Sequence, residues 1–432
     1  MQNSIGNVAL SNVWGRLNNA MIVRGKGSFV FDDQGNRFLD FTSGIGVTST
    51  GHCHPRVVKA VQSQANQLLF GQMNCMLPEM SARYAKALVA KTPETIETFF
   101  FANSGAEAVE GAVKLARMAT GRPNIIAMEG GFHGRTAMTM ALTSSKSVYR
   151  AGYQPLPSGV FFTPFPSGFY YQEFQHHWDS KQTVSFCLQQ LKHLFKTQSS
   201  PEETAAIIIE PVLGEGGFVP APSGFLQELR KICDSSGILL IVDEIQSGFG
   251  RTGKMWAHEH SGIVPDVLTM AKGIASGLPM SAIGASQELM SKWPVGSHGG
   301  TYGGGSAVAM AAAMATLEVI EEEGLLENAA TMGGYLKQQL EALVERLPQK
   351  VDVRGKGLMV GVEWVRDGQP ESQMAKNLQS KCLEDGLMLL ICGPDGNVIR
   401  WLPPLNVTQD EIDVGLRVFE AALSQFGGNP SA

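Results

Sequence analysis

The sequence lacks any long apolar run. No stretch approaches the roughly 20 consecutive apolar residues that a transmembrane helix needs. The longest weakly polar run begins at Ser306 and ends in three glutamates at 321–323, which predicts a buried helix. The first residues show no basic start followed by an apolar segment, so we expect neither a secretory signal nor a membrane partner.

Cysteine and basic clusters are also scarce. The chain has six cysteines in 432 residues, none of them at C-x-x-C spacing. This pattern indicates neither a disulfide framework nor a zinc site, so we expect no metal and a reducing, cytoplasmic location. The formal net charge is -6, and no long run of Lys or Arg occurs. We therefore expect no nucleic-acid partner.

The chain does contain enough apolar residues to form the buried cores of two or three domains. From about residue 80, predicted helices alternate with short apolar runs such as AAIIIEPV and ILLIVDEI. This alternation predicts an α/β fold whose mainly parallel sheet is covered by helices on both faces. We expect a large domain at 51–305, and a smaller α+β domain formed by 306–432 together with the N-terminal segment 1–50. Residues 146–200 are rich in Pro and aromatics, and we interpret them as loops and an insertion over the large domain.

The first candidate site is Ser104-Gly105-Ala106-Glu107, between an apolar strand and a helix. A glycine at the start of a helix allows close backbone approach, and the free N–H groups there suit a phosphate. The S-x-x-E spacing is equally typical of a capping box, in which Ser104 and Glu107 only terminate the helix. Both interpretations stay open on this motif alone.

The second candidate is Asp243, at the carboxyl end of the run ILLIVD, where α/β folds bind ligands. A carboxylate there can hold a ring nitrogen protonated, and Gln246 can hydrogen-bond a ligand oxygen. An ordinary capping aspartate would have the same position. The third candidate is Lys272, between the apolar segment VLTMA and a glycine-rich turn. Desolvation there would lower its pKa and make its neutral amine available for a Schiff base, although most lysines lie at the surface.

Together these parts are what an enzyme dependent on pyridoxal 5′-phosphate (PLP) needs. The sequence resembles the class III, fold-type-I aminotransferases, and is closest in pattern to the 4-aminobutyrate enzymes and related to the ornithine and acetylornithine enzymes. The resemblance runs nearly end to end. It is carried by the segments FANSGAEAVEGAVKLAR, GGFHGRT, IIIEPVLGEGGF, ILLIVDEIQSGFGRTG, TMAKGIASGLP and TYGGG.

The resemblance implies a set of cofactor-binding residues, namely Ser104, Gly105, Ala106, Phe132, His133, Asp243, Gln246, Lys272 and Thr301. Among them, Lys272 would hold PLP as an internal aldimine and act as the catalytic base. Asp243 would pair with the pyridinium nitrogen, and Phe132 would stack on the ring. Many relatives have Ser where Ala106 stands. Thr301 would reach the cofactor phosphate of a neighbouring subunit, which implies a homodimer and leaves a tetramer open.

Four further residues are predicted to bind substrate: Ile45, Arg135, Glu215 and Arg400. The resemblance implies that Glu215 pairs with Arg400 and so masks its charge while an ω-amine is bound. Arg400 would then bind the α-carboxylate of a 2-oxo acid in the other half-reaction. Arg135 would bind a second carboxylate, and Ile45 would line the pocket. We expect transamination from 4-aminobutyrate to an acceptor such as 2-oxoglutarate. The alternatives are an acetylornithine, ornithine or broad amine transaminase that uses pyruvate, and a class III aminomutase or racemase.

Overall fold

The computed structural model describes residues 9–171 and 179–426 of the chain. Residues 172–178, within the predicted insertion 146–200, lie outside the described residues. The strands, in chain order, are β1 Ile22–Lys26, β2 Phe29–Asp32, β3 Arg37–Asp40, β4 Thr98–Ala102, β5 Asn124–Met128, β6 Val160–Thr163, β7 Thr204–Ile209, β8 Val212–Leu213, β9 Val219–Pro220, β10 Leu239–Asp243, β11 Val267–Met270, β12 Ser281–Ala285, β13 Lys350–Lys356, β14 Met359–Arg366, β15 Gln369–Pro370, β16 Leu387–Met388, β17 Leu390–Cys392 and β18 Val398–Trp401.

The helices, in chain order, are α1 Ser43–Gly46, α2 Pro55–Ala65, α3 Glu79–Val89, α4 Gly105–Thr120, α5 Ala137–Leu142, α6 Gly168–Tyr170, α7 Ser180–Thr197, α8 Ser223–Ser236, α9 Gln287–Ser291, α10 Ala307–Glu322, α11 Leu325–Val344, α12 Ser372–Glu384 and α13 Gln409–Phe426. Helix α4 is capped at its C-terminal end by Gly121. Gly121 has a φ of 68°, the left-handed conformation that glycine adopts at little cost. No helix within 9–171 and 179–426 has the length and apolar character needed to cross a membrane.

The largest sheet has seven strands in the order β4-β12-β11-β10-β7-β5-β6. Strand β12 runs antiparallel to both of its neighbours, and the other pairs are parallel. Every residue of β7 and of β11 is buried, as expected for strands covered on both faces. The predicted α/β architecture with a mainly parallel sheet is confirmed.

Among the described residues, three smaller sheets lie outside this layer, and one of them consists only of β8 and β9. Strands β1, β2 and β3 form antiparallel pairs, and β3 pairs in parallel with β16 from the C-terminal part of the chain. Strands β13, β14, β18 and β17 form a second antiparallel sheet, which β15 extends. The β3–β16 pairing favours the predicted grouping of 1–50 with 306–432 in one small domain, which stays a proposal together with the boundaries of 51–305.

The prediction that 146–200 consists of loops and an insertion is wrong in two places. Strand β6 pairs with β5 at the edge of the large sheet. Helix α7 has 18 residues and buries Cys187, Leu191 and Leu194 in the core. These side chains recur at helical spacing, but Gln, Lys and His separate them and obscure the pattern. Strand β6 and helix α7 are therefore part of the large α/β layer.

Candidate active site

The site is built at the carboxyl ends of β10 and β11. The two strands pair in parallel, with Asp243 opposite Thr269. Lys272 follows β11 and begins a short 3-10 turn that extends to Ala275. Lys272 has a φ of 46°, a left-handed conformation that costs a non-glycine residue roughly 1–2 kcal/mol. Strain of this kind is often held by the surrounding structure at functional sites.

Asp243 is buried and hydrogen-bonded on both oxygens. The Nδ1 atom of His133 donates to Oδ2 (2.7 Å), and the backbone N–H of Ile245 donates to Oδ1 (3.1 Å). Burial lowers the pKa of His133, but the hydrogen bond and charge of Asp243 outweigh burial and raise it. His133 therefore fixes the orientation of the carboxylate, whose remaining lone pairs can still accept another donor.

Gln246 is buried beside the left-handed turn of α1. Its Nε2 donates to the carbonyl oxygen of Ile45 (3.3 Å), and its Oε1 is buried without a hydrogen-bond partner among the described residues. Ile45 has a φ of 67° and a side chain that is 44% exposed, both unusual for a β-branched apolar residue. The structure thus brings the predicted residues Ile45 and Gln246 together.

The predicted phosphate-binding motif caps the helix at Ser104 without forming a complete capping box, because Glu107 accepts from the backbone N–H of Asn103 (2.9 Å) instead of that of Ser104. Ser104 is the N-cap of α4, where its Oγ accepts from the N–H of Glu107 (3.3 Å) and donates to Glu107 Oε2 (3.1 Å). Capping and anion binding are compatible, because the first N–H groups of a helix have no intrahelical partner. A Cβ on Gly105 would lie 3.0 Å from the side chain of Ile245, so only glycine fits without rearrangement. Ala106 follows in the first turn.

Thr301 lies next to this motif in its own chain. Its Oγ1 accepts a hydrogen bond from the side-chain amide of Asn103 (3.0 Å), and its side chain is exposed. The predicted reach to a neighbouring subunit stays a prediction.

The charges of three carboxylates and of one arginine act on Lys272. Burial lowers the pKa of Lys272. The charges of Glu215, Glu210 and Asp243 act in the opposite direction without overcoming burial, and the charge of Arg400 adds to the lowering. A lowered pKa increases the neutral fraction of the amine, the form that attacks a carbonyl carbon.

Glu210 is a site residue that the sequence did not reveal. It follows β7 directly and is buried, and its two oxygens accept from the N–H groups of Phe132 (2.8 Å) and Gly214 (2.9 Å). Burial raises the pKa of Glu210 to about 7; the Asp243 charge adds to this shift, and His133 opposes it. Through its two hydrogen bonds, Glu210 connects the loop that contains Phe132 to the loop that contains Glu215. Its position immediately after an apolar strand was the available signal.

Arg400 and Glu215 form the predicted pair. Nη1 of Arg400, in the buried strand β18, lies 2.5 Å from Glu215 Oε1, and Nη2 donates to the carbonyl of Ile391 (3.3 Å). Burial alone would raise the pKa of Glu215, but the charge and hydrogen bond of Arg400 lower it overall. Both side chains are therefore charged at neutral pH. Their charges act on Lys272 in opposite directions: Glu215 raises the pKa of the lysine and Arg400 lowers it.

Tyr149 is the second residue that the sequence did not reveal. Its hydroxyl donates to Glu215 Oε2 (3.0 Å). The guanidinium carbon of Arg135 lies 4.4 Å from the centre of its ring, and the ring of Phe132 meets it edge-on at 5.3 Å. Arg135 itself is exposed. Tyr149 thus connects both predicted carboxylate-binding segments.

The side chains suit PLP in charge and in hydrogen-bonding capacity. Asp243 is a buried carboxylate that can hold a pyridine nitrogen protonated, and the unpartnered oxygen of Gln246 can accept from a hydroxyl. Lys272 provides the amine, and the first turn of α4 provides amides for a phosphate. A buried polar atom without a partner costs free energy, which a bound polar group at Gln246 would recover.

Known proteins are similar to this chain over nearly its whole length. The family model "Aminotransferase class-III" matches residues 11–423. The chain is 39% identical over 414 residues to a 5-aminovalerate aminotransferase of Pseudomonas putida, covering 95% of both chains, and 38% identical over 410 residues to a probable 4-aminobutyrate aminotransferase of Bacillus subtilis, covering 94% and 93%.

A solved structure is similar over almost the whole chain. It is an amine transaminase from an uncultivated Pseudomonas species in its PLP-bound internal aldimine form, with a TM-score of 0.89, 29% identity, and coverage of 98% of this chain and 100% of that one. Taken with the family match, this likeness identifies PLP as the cofactor. The chain belongs to the class III, PLP-dependent aminotransferases.

Proposed function

We propose that the enzyme moves the amino group of an ω-amino acid to a 2-oxo acid such as 2-oxoglutarate. The preferred donor is 4-aminobutyrate, followed by 5-aminovalerate. The observation that carries this proposal is the buried Arg400–Glu215 pair, whose charges act on the pKa of Lys272. The names of the relatives from P. putida and B. subtilis support the same class of donor.

Bound PLP supplies a cationic ring that accepts electrons from the substrate carbon. In the proposed mechanism, Nζ of Lys272 would hold the cofactor. Once free, it would act as general base toward the substrate carbon and as general acid toward the cofactor carbon on the other side of the nitrogen. Asp243, oriented by His133, keeps the ring nitrogen protonated. Phe132 covers one face of the ring, and Gln246 positions its hydroxyl group. The amides of Gly105 and Ala106 bind the phosphate.

The two half-reactions place different demands on one pocket. An ω-amino acid has no carboxylate beside the reacting amine, so Arg400 needs another partner, because an unpaired buried charge is costly. Glu215 fills that role. A 2-oxo acid brings its own carboxylate, which displaces Glu215 and forms a bidentate pair with Arg400. In both halves Arg135 binds the distal carboxylate, while Ile45 packs against the methylene chain.

We further propose that two copies of the chain associate. Apolar side chains are exposed near Thr301, on the segment 68–77 and at Tyr302. Within this surface the rings of Phe70 and Tyr302 contact each other at 5.2 Å. Exposed apolar patches of this kind mark association surfaces. Pairing there would cover the patch and bring Thr301 toward the partner's site.

A panel of donors and acceptors tests the substrate proposal. The purified holoenzyme is given 4-aminobutyrate, 5-aminovalerate, ornithine, acetylornithine and a simple amine, each with 2-oxoglutarate or pyruvate. We expect the highest kcat/KM for the two ω-amino acids with 2-oxoglutarate. A preference for acetylornithine, or for simple amines with pyruvate, would overturn the donor assignment. Product formation without any acceptor would instead indicate an aminomutase or a racemase.

A further inference from the structure

Tyr149 contacts three groups at the proposed substrate end of the pocket. Its hydroxyl donates to Glu215 Oε2 (3.0 Å), and its ring lies between Arg135 (4.4 Å) and Phe132 (5.3 Å). It comes from the 3-10 turn Ser147–Tyr149, which otherwise exposes Ser147 and Val148 to solvent. A partly buried phenol at the end of an exposed turn needs an explanation.

We propose that Tyr149 is a positioning residue that holds Glu215 against Arg400, and so sets the balance between ω-amino and 2-oxo acid substrates. This inference rests on the proposed function, in which Glu215 must leave Arg400 for one half-reaction and return for the other. Tyr149 acts through Glu215 rather than on the reacting atoms.

The contacts of Glu215 show what has to break when the pair opens. Oε1 is bonded to Arg400 and Oε2 to Tyr149, so both carboxylate oxygens are engaged. The backbone is held as well, because the N–H of Gly393 donates to the Glu215 carbonyl (3.0 Å), and Gly216 packs too closely on Gly130 to admit a Cβ. Glu215 therefore leaves Arg400 by rotation of its side chain, which breaks the hydrogen bond from Tyr149.

The phenol is a neutral donor throughout the working pH range. Burial and the nearby Glu215 charge raise the pKa of Tyr149 to about 12. A neutral O–H bonded to a carboxylate is a charge-assisted hydrogen bond, stronger than one between neutral groups. This bond exists in the closed pair and is lost in the open state, so removing the hydroxyl favours opening.

Tyr149→Phe isolates the hydroxyl, because the ring stays to pack on Arg135 and Phe132. We measure binding to the holoenzyme by calorimetry with glutarate and with butyrate. Neither compound can react, and only glutarate has the second carboxylate that needs a free Arg400. Glutarate should bind about 3- to 10-fold more tightly to the variant, the effect of one lost hydrogen bond, while butyrate affinity stays within about 2-fold. KM for 2-oxoglutarate should fall, and kcat/KM for 4-aminobutyrate should fall too.

Two further variants separate positioning from a general structural effect. Tyr153 lies four residues after Tyr149 and is 61% exposed. Tyr153→Phe should therefore alter the affinity for neither glutarate nor butyrate. In a Glu215→Ala background, Tyr149→Phe should no longer change glutarate binding, because the residue through which it acts is gone. Unchanged or weaker glutarate binding by the single variant, or an undiminished effect without Glu215, would overturn the proposal. Failure of the unaltered enzyme to use any ω-amino acid would instead overturn the proposed function.

Discussion

Removing Glu215 should damage one half-reaction and assist the other. Glu215→Ala deprives Arg400, whose side chain is 5% exposed, of its carboxylate partner at 2.5 Å. Breaking a buried ion pair by removing one partner costs about 3–5 kcal/mol when the other charge stays dry. In the free variant, water can reach part of the site, because the Glu215 side chain is 14% exposed. The full cost therefore appears only when a bound ω-amino acid expels that water.

We expect the 4-aminobutyrate half-reaction of Glu215→Ala to slow by a factor on the order of 10 to 100, equivalent to about 1.4–3 kcal/mol of that cost. The 2-oxo acid half should bind its substrate at least as tightly as before, because no carboxylate has to be displaced. Arg400→Ala should do the reverse. KM for 2-oxoglutarate should rise by a factor on the order of 10 to 100 for a lost charge-assisted contact, while the amine half survives.

The assay is single-turnover absorbance of the cofactor, recorded for each half-reaction separately. Arg366→Ala serves as the control, since it removes an ion pair to Glu371 from an arginine side chain that is 52% exposed, and it should change neither half. If both site variants slow both halves to the same extent, the pair is structural and the substrate proposal loses its main support.

Three more outcomes follow from the site. Asp243→Asn should retain PLP but lose about 100-fold or more in kcat, because an amide cannot hold the ring nitrogen protonated; steady-state rates near normal would contradict this role. Burial raises the pKa of Glu215, but Arg400 lowers it overall from about 4.5, so the pair's stabilisation is present above pH 4.5 and lost as pH falls through the lowered pKa. The difference in thermal stability between the native chain and Glu215→Gln should therefore shrink below about pH 4.5, and a constant difference would refute it. Met73→Glu, in the exposed apolar segment, should produce monomers in ultracentrifugation and should weaken PLP binding in a cofactor titration. A dimer of unchanged stability would place the interface elsewhere.

The parts of the molecule that were predictable from sequence depend on local patterns. Apolar runs identified β7, β10 and β11, because strand preference and burial act within a few residues. The positions of Asp243 and Lys272 follow from the ends of parallel strands meeting at one edge of a sheet. The Arg400–Glu215 contact joins residues 185 positions apart and was accessible only through the resemblance.

The missed features depend on the assembled fold. Helix α7 has its apolar residues spaced among polar ones, so only packing against the sheet distinguishes it from a surface loop. Tyr149 lies in a short 3-10 turn, and no periodic pattern in the sequence indicates that its side chain reaches Glu215. Glu210 looks like any acidic residue after a strand, and its role is visible only in its bonds to the amides of Phe132 and Gly214.

Borohydride reduction identifies the lysine through which this aminotransferase holds PLP, which we propose is Lys272. The holoenzyme is reduced with borohydride, which fixes the cofactor to the amine that carries it, and is then digested and mapped by mass spectrometry. We predict that the phosphopyridoxyl group is found on the peptide containing Lys272, and that Lys272→Ala yields no modified peptide and no transamination. Modification of a different lysine, or transamination at the normal rate by Lys272→Ala, would contradict the account.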